Sequence, residues 1–332
     1  MRESGVALSE PLGSMNWQHT GEGNVWAVVL AGGEDHRLTA FTRRLDGADR
    51  TRQYGTLYGP ASLLRQTLER VATIVPPERT VVSTLASDAS QLSAGLAGHG
   101  DLHVLAQPSD RGTAAAVLLP AHWIAARDPR ATVVVFSIEH LVLDEPAFLG
   151  RVIDVVGFVQ AHPERLVLLG AEPTAPDADY GWIEPGDRLD ATADGPLYRV
   201  RAFVESPTAE VARRLFGRHC LWNTFVFASS ASSLIDAGRD CIPMLHDRLV
   251  RLGLYLGTRH QAWGLRQAYQ FAPTSDFSRA ILESCPPSLA VAPLPPFTWC
   301  DLGTPRHVAK VVERLQVSPA WSSLTDSAPG SP

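Results

Sequence analysis

Apolar runs of strand length alternate along this chain with stretches whose apolar residues recur at helical spacing. The runs at 26–31, 80–84, 102–106, 132–136 and 166–169 are dense in valine and leucine and bounded by turn residues, which predicts buried strands. Between them, 62–74, 88–97, 113–126 and 146–160 predict amphipathic helices. The order β-α-β-α-β-α-β-α-β implies βα units around a mostly parallel sheet. Beyond residue 170 the pattern changes. YGWIEPGD at 180–187 and LYRVRAFVE at 197–205 predict two extended segments joined by a polar Gly/Asp turn, a hairpin or the edge of a lobe. Residues 230–270 read as helical, 288–294 as a returning strand and 305–315 as a closing helix, whereas the Ser/Pro/Ala-rich stretch 318–332 predicts disorder. No internal repeat is visible.

Open sheets of this kind bind ligands beyond the carboxyl ends of their strands, so the residues that follow each strand are the first candidates. After the first run comes WAVVLAGGEDHRL at 26–38, apolar until it breaks at Gly32 and Gly33 and then charged. Such a turn exposes backbone N–H groups that cradle phosphate oxygens, though Ala-Gly-Gly is also how an ordinary α/β protein turns a corner. Arg37, Arg43, Arg44, Arg50 and Arg52 meet only Asp46 and Asp49 between 37 and 52, a local charge of +3. That excess suits a polyphosphate, and it equally suits a solvated loop. Gln107, Pro108 and 111–114 follow the third run; Glu139 and His140 follow the fourth. A carboxylate at a strand end facing a phosphate loop is a natural Mg²⁺ ligand, which singles out Glu139. Its plainer reading is a loop acid near the helix cap at Asp144. His140 reads as a packing or hydrogen-bonding residue, and Asp301 in TWCDLGTP offers a second carboxylate.

Composition removes several classes of function. With 332 residues, 45% hydrophobic and 19% charged, the chain has material for one large domain or two small ones with a real core. A net charge of −6 and a pI near 6.0 argue against a nucleic-acid polymer as partner and for a small ligand. No apolar run approaches the roughly 20 residues that span a bilayer. Residues 1–24 lack the basic start and apolar stretch of a secretory signal, which makes the cytoplasm the default location. Cys220, Cys241, Cys285 and Cys300 show no metal or redox spacing and read as reduced core residues. Lys310 is the only lysine among 29 basic side chains, so any lysine role in the front half falls to arginine.

Taken together and in order, these pieces resemble the sugar-1-phosphate nucleotidyltransferases, most closely the mannose-1-phosphate guanylyltransferases, from about 25 to 312. LAGGEDHRL is similar to that family's LAGGxGxRL, and TRQYGTLYGPASLLRQTLERV at 51–71 to its PKQ(Y/F) segment and following helix. AQPSDRGTAAAVLLP at 106–120 resembles its (Q/E)P stretch ending in TAPA, and VVVFSIEH its VLPADH. YGWIEPG resembles YGYIE, FVESP resembles F-x-EKP, LWNTFVF resembles LWNSGMF, and WCDLGTP resembles WxDLG. The resemblance implies an α/β, Rossmann-like fold with a mixed, mostly parallel sheet, helices on both faces and a small β-rich sugar-binding lobe. It divides the chain into an N-terminal extension at 1–24, a transferase-like domain at 25–316 with nucleotide-binding (25–170) and sugar-binding (171–316) halves, and a tail at 317–332.

The implied reaction joins a hexose 1-phosphate to GTP or another nucleoside triphosphate, giving a nucleotide-sugar and pyrophosphate, with Mg²⁺ or Mn²⁺ as cofactor. The resemblance assigns the triphosphate to Ala31, Gly32 and Gly33, the catalytic role to Arg37 and Arg52 beside it, and the guanine to Gln107, Gly112 and Thr113. Tyr180, Gly181, Glu205 and Asn223 would meet the sugar, and Glu139 and Asp301 the metal. A homo-oligomer is compatible with all of this. The departures fall at the chemistry: Asp35 replaces the third loop glycine, Arg52 a lysine, Glu139 an aspartate and Ser206 the lysine of F-x-EKP. Two expectations follow, an active enzyme with a rearranged site or a binding relative that regulates or partners one. A dinucleotide-dependent dehydrogenase is set aside, because the glycine spacing does not fit G-x-G-x-x-G.

Overall fold

A computed structural model of the chain describes residues 24–32, 61–88, 92, 95–192, 195–285, 288–296 and 298–315. Gly33, Asp35, Arg37, Arg43, Arg44, Arg50 and Arg52 lie outside the described residues, as do 1–23 and 316–332. The helix expected at 88–97 falls half outside them.

Each of the five early apolar runs forms a strand: β1 (Val25–Leu30), β2 (Thr80–Leu85), β3 (His103–Gln107), β4 (Thr132–Ser137) and β6 (Leu166–Ala171). The short β5 (His140–Val142) follows β4. The expected hairpin is β7 (Trp182–Thr192) and β8 (Gly195–Val204), and the returning strand is β10 (Leu289–Pro293). With β9 (Leu221–Ser230) they make a nine-stranded sheet in the order β3-β2-β1-β4-β9-β6-β10-β8-β7. Only β8 and β9 run against the others. The mostly parallel α/β sheet is therefore present, and it runs unbroken from the early strands into the hairpin.

Alternate residues of β1 feed two separate cores. Ala27 and Val29 pack with α1 (Leu63–Ala72) and α3 (Glu145–Ala161), while Trp26 and Val28 pack with α2 (Gly112–Ala125) on the opposite face. Strands buried on both faces read as continuous apolar runs, which is why these were legible. The helix starts have local causes. Ser62 accepts the Arg65 amide at 3.3 Å to begin α1, and Asp144 accepts the Ala147 amide at 3.1 Å to begin α3. The helical region after β9 resolves into α5 (Ala231–Cys241), α6 (Pro243–Leu252) and α7 (Gln261–Gln270), and α4 (Ala209–Phe216) precedes β9.

Buried Arg151 of α3 ties the hairpin down. Its guanidinium donates to the carbonyls of Pro293, Gly195 and Pro196 and to Thr192 Oγ1, so one charged group serves β10 and the β7–β8 turn together. Finally β11 (Trp299–Asp301) pairs with β5 in a separate two-stranded sheet, and α8 (Pro305–Leu315) closes the described chain. No helix among the described residues is long and apolar enough to cross a membrane.

Candidate functional site

A cavity of about 600 Å³ opens beyond the carboxyl ends of β1 and β4, where a sheet of this topology is expected to bind its ligand. Gly32, Thr113, Glu139, Tyr180, Gly181, Glu205, Asn223 and Asp301 all line it. Residues spread over most of the sequence thus meet at one place.

The small β5–β11 ladder builds the acidic side. It sets Asp301 opposite His140, and the Leu302 amide donates to the Glu139 carbonyl at 2.7 Å. Both carboxylates then reach the same point beside Gly303. A Cβ there would stand 2.6 Å from Glu139 Oε2 and 3.1 Å from Asp301 Oδ1, so the glycine leaves open a cradle of carboxylate oxygens. Two hard oxygen donors converging in this way fit Mg²⁺ or Mn²⁺, which take one or two carboxylates and complete their shell with water and phosphate. Glu139 does not cap α3; Asp144 does that. His140 packs edge-on against Trp299 at 5.2 Å, and burial pushes its pKa down to about 4, so it stays neutral.

Across the cavity the backbone makes close approaches. The Asn223 amide donates to the Gly181 carbonyl at 2.7 Å, and a Cβ on Gly181 would come within 2.5 Å of Glu205 Oε2. Only glycine lets Glu205 and Asn223 stand side by side here. Phe225, at φ +57°, and Ser206, at φ +47°, hold left-handed backbone conformations next to these residues. Non-glycine residues rarely adopt that region, and such strain concentrates at functional sites. Burial, followed by Asp276 and Glu283, raises the Glu205 pKa. Tyr180 stacks with Trp222 at 4.2 Å and with His307 at 4.7 Å, and its hydroxyl lies 3.4 Å from His307 Nδ1, so the ring is fixed in the lining by its neighbours.

On the nucleotide side, Gly32 lies so near β2 that a Cβ would be 3.0 Å from the Thr84 backbone. Ala31 is buried in the ladder, its amide donating to Ser83 O at 2.8 Å. Gly112, at φ +78°, has no room for a Cβ because Ser275 O would lie 2.4 Å away. Thr113 Oγ1 donates to Asp276 at 3.1 Å and accepts the Phe277 amide at 2.8 Å. Gln107 does not face the cavity. It is buried, donating to Ser83 Oγ at 3.3 Å and accepting from the Tyr269 hydroxyl at 3.1 Å. Arg111 donates to the Tyr269 and Gln270 carbonyls at the end of α7.

A family profile described as Nucleotidyl transferase matches residues 26–317. The chain belongs to the nucleotidyl transferase family. It is 27% identical over 313 residues to the xanthan biosynthesis protein XanB of Xanthomonas campestris pv. campestris, covering 91% of this chain and 59% of that protein. It is 30% identical over 215 residues to a mannose-1-phosphate guanylyltransferase of Salmonella montevideo, covering 63% of this chain and 44% of that one. The chain therefore spans less than two thirds of the length of these curated relatives. Among solved structures it resembles one described as a mannose-1-phosphate geranyltransferase from Thermus thermophilus. The TM-score is 0.73 at 28% identity, over 89% of this chain and 80% of that one.

Within this nucleotidyl transferase, a network unread in the sequence supports the acidic side. His307 Nδ1 lies 2.5 Å from Asp301 Oδ2, and Nε2 lies 3.6 Å from Asp177 Oδ2. Lys310, the sole lysine, donates to that same Asp177 oxygen at 2.8 Å, and Arg306 approaches Asp177 Oδ1 at 3.5 Å. Burial opposes ionisation of Asp177, but the Lys310 hydrogen bond, the Asp179 amide and the nearby charges outweigh it and lower its pKa. Asp177, Asp179 and His307 lie close enough to ligate a metal, yet Lys310 and Arg306 already neutralise that group. The one available signal was the spacing of His307 and Lys310, which shares one helix face just past Asp301.

Six carboxylates, Asp110, Glu139, Asp179, Glu205, Asp276 and Asp301, line the cavity, and no arginine or lysine does so among the described residues. Like charges about 4 Å apart repel by about 4 kcal/mol at an effective dielectric near 20.

Proposed function

We propose that the chain transfers a nucleotidyl group from a nucleoside triphosphate to a hexose 1-phosphate, with GTP and mannose 1-phosphate as the favoured pair. The observation that supports this most is the convergence of Glu139 and Asp301 beside Gly303, opposite Gly181, Glu205 and Asn223 in the same cavity. The base and sugar assignments follow the relatives named for mannose 1-phosphate.

Glu139 and Asp301 would hold Mg²⁺ or Mn²⁺, which supplies charge neutralisation on the phosphate oxygens. Glu205 and Asn223 hydrogen-bond the sugar hydroxyls, and bare Gly181 gives the ring access. The sugar-phosphate oxygen attacks the α-phosphorus in line, and the bond to pyrophosphate breaks. Gly32 and Thr113 flank the nucleotide. Arg37 and Arg52 are assigned to the triphosphate, where arginine keeps its charge in every state. With Gln107 committed to Ser83 and Tyr269, base recognition falls on the Gly112–Thr113 side.

One observation favours a second reading, a binding relative without turnover: the described lining of the cavity holds six carboxylates and no arginine or lysine, with Ser206 at the family's lysine position. Pyrophosphate release with several triphosphates and hexose 1-phosphates, in Mg²⁺ and in Mn²⁺, separates the two. Turnover lost in Glu139→Ala and Asp301→Ala supports transfer. Nucleotide binding without turnover for any pair supports the binding relative.

A further inference from the structure

We propose that Cys241 and Cys285 are a redox pair, which a hydroperoxide converts to a disulfide that tightens the wall carrying Glu205. Their sulfur atoms lie 3.1 Å apart, about 1 Å beyond the bonded distance. Both side chains are partly exposed, so an oxidant reaches them, whereas Cys220 and Cys300 are buried. This departs from the sequence reading of all four as core residues.

The pair joins a segment that lines the cavity to a helix packed against α2 behind it. Cys285 follows the π-helical turn Ser278–Leu282, its amide donating to Ile281 O at 3.0 Å. Two residues earlier, Glu283 Oε1 accepts the Glu205 amide at 2.6 Å, and Asp276 and Ser278 line the cavity itself. Cys241 ends α5, where Gly238 packs so tightly on α2 that a Cβ would stand 2.9 Å from Leu118 Cδ1. The N-terminal turn of α2 carries Thr113. A covalent bond at this point fixes the 276–283 segment against α5 and holds Glu283 under Glu205.

The chemistry closes on itself. Burial and the neighbouring sulfur push the Cys241 thiol up, and the electron balance is the same whichever sulfur of the pair attacks first. With Cys285 first, its thiolate attacks one oxygen of hydrogen peroxide, the O–O bond breaks, and the second oxygen leaves as water after taking a proton. Cys241 sulfur then attacks the resulting sulfenic acid, the S–O bond breaks, and the Cys241 proton departs with that hydroxyl as a second water. Two thiols lose two electrons, and one peroxide gains them.

The test treats the full chain with hydrogen peroxide and follows free thiols by alkylation and backbone exchange by hydrogen–deuterium mass spectrometry. Thiols alkylated after denaturation, four when reduced, are expected to fall to two, with the Cys241 and Cys285 peptides joined and dithiothreitol reversing the change. Exchange at 203–206 and 276–283 is expected to slow in the oxidised form. Cys285→Ser and Cys241→Ser each abolish both effects, and either variant suffices if the other does not fold. Cys220→Ser leaves both effects in place. Full alkylation of Cys241 and Cys285 after peroxide, or a disulfide that leaves exchange at Glu205 unchanged, overturns the proposal.

Discussion

The two walls of the cavity are held by different physics. The acidic wall, from β5, β11 and α8, rests on side-chain charge: Lys310 on Asp177, His307 between Asp177 and Asp301, and Glu139 beside Asp301. The opposite wall rests on backbone shape: the Gly181–Asn223 hydrogen bond, the left-handed Ser206 and Phe225, and a glycine that no side chain can replace. Removing a charge should therefore damage the first wall, and adding a methyl group the second. A wall built of charges suits a partner that is itself an ion, while a wall built of shape suits a ring whose hydroxyls must be told apart.

The largest expected effect is on the acidic wall. Glu139→Ala and Asp301→Ala should each lower pyrophosphate release by at least about 100-fold, as misplaced reacting groups do, while circular dichroism reports an intact fold. Lys310→Met should follow. It leaves the buried Asp177 carboxylate without its strongest partner, costing about 2 kcal/mol in urea unfolding at pH 7. The lowered Asp177 pKa gives the sign: its stabilisation is present above the usual aspartate range and is lost as pH falls through the depressed value. The gap between variant and parent should close below about pH 4.

On the shape-built wall, Gly181→Ala should push Glu205 aside and raise the KM for sugar phosphate about tenfold, a change of about 1.4 kcal/mol. Stability should shift less than in Lys310→Met. Equal sensitivity of both walls to charge removal would erase the distinction. The smallest effect is expected from Glu205→Gln. A raised carboxyl pKa means stabilisation that is complete below the usual glutamate value and lost as pH rises through the raised one. The variant should melt at a higher temperature than the parent at pH 8 and show no gain at pH 4.

The sheet was legible because its early strands are buried on both faces and show as plain apolar runs; the predicted bounds of β1, β2 and β4 miss by a residue at most. The strand β9 was read only as the motif LWNTFVF, since its irregular stretch at Asn223–Phe225 interrupts the simple pattern. At three residues each, β5 and β11 are too short for any periodicity, yet they bring Glu139 to Asp301. Lys310 was conspicuous in the sequence, but its partner Asp177 lies 133 residues away, and nothing local encodes such a pairing. Gln107 carried a motif resemblance, and only the packing of Tyr269 and Ser83 around it reveals that it points inward.

Manganese binding to the full chain in the presence of GTP, followed by electron paramagnetic resonance, tests the shared seat of Glu139 and Asp301 most directly. One bound ion is expected, lost in Glu139→Ala and in Asp301→Ala and retained in Asp179→Asn. Unchanged affinity in both alanine variants, or loss in Asp179→Asn alone, would contradict it.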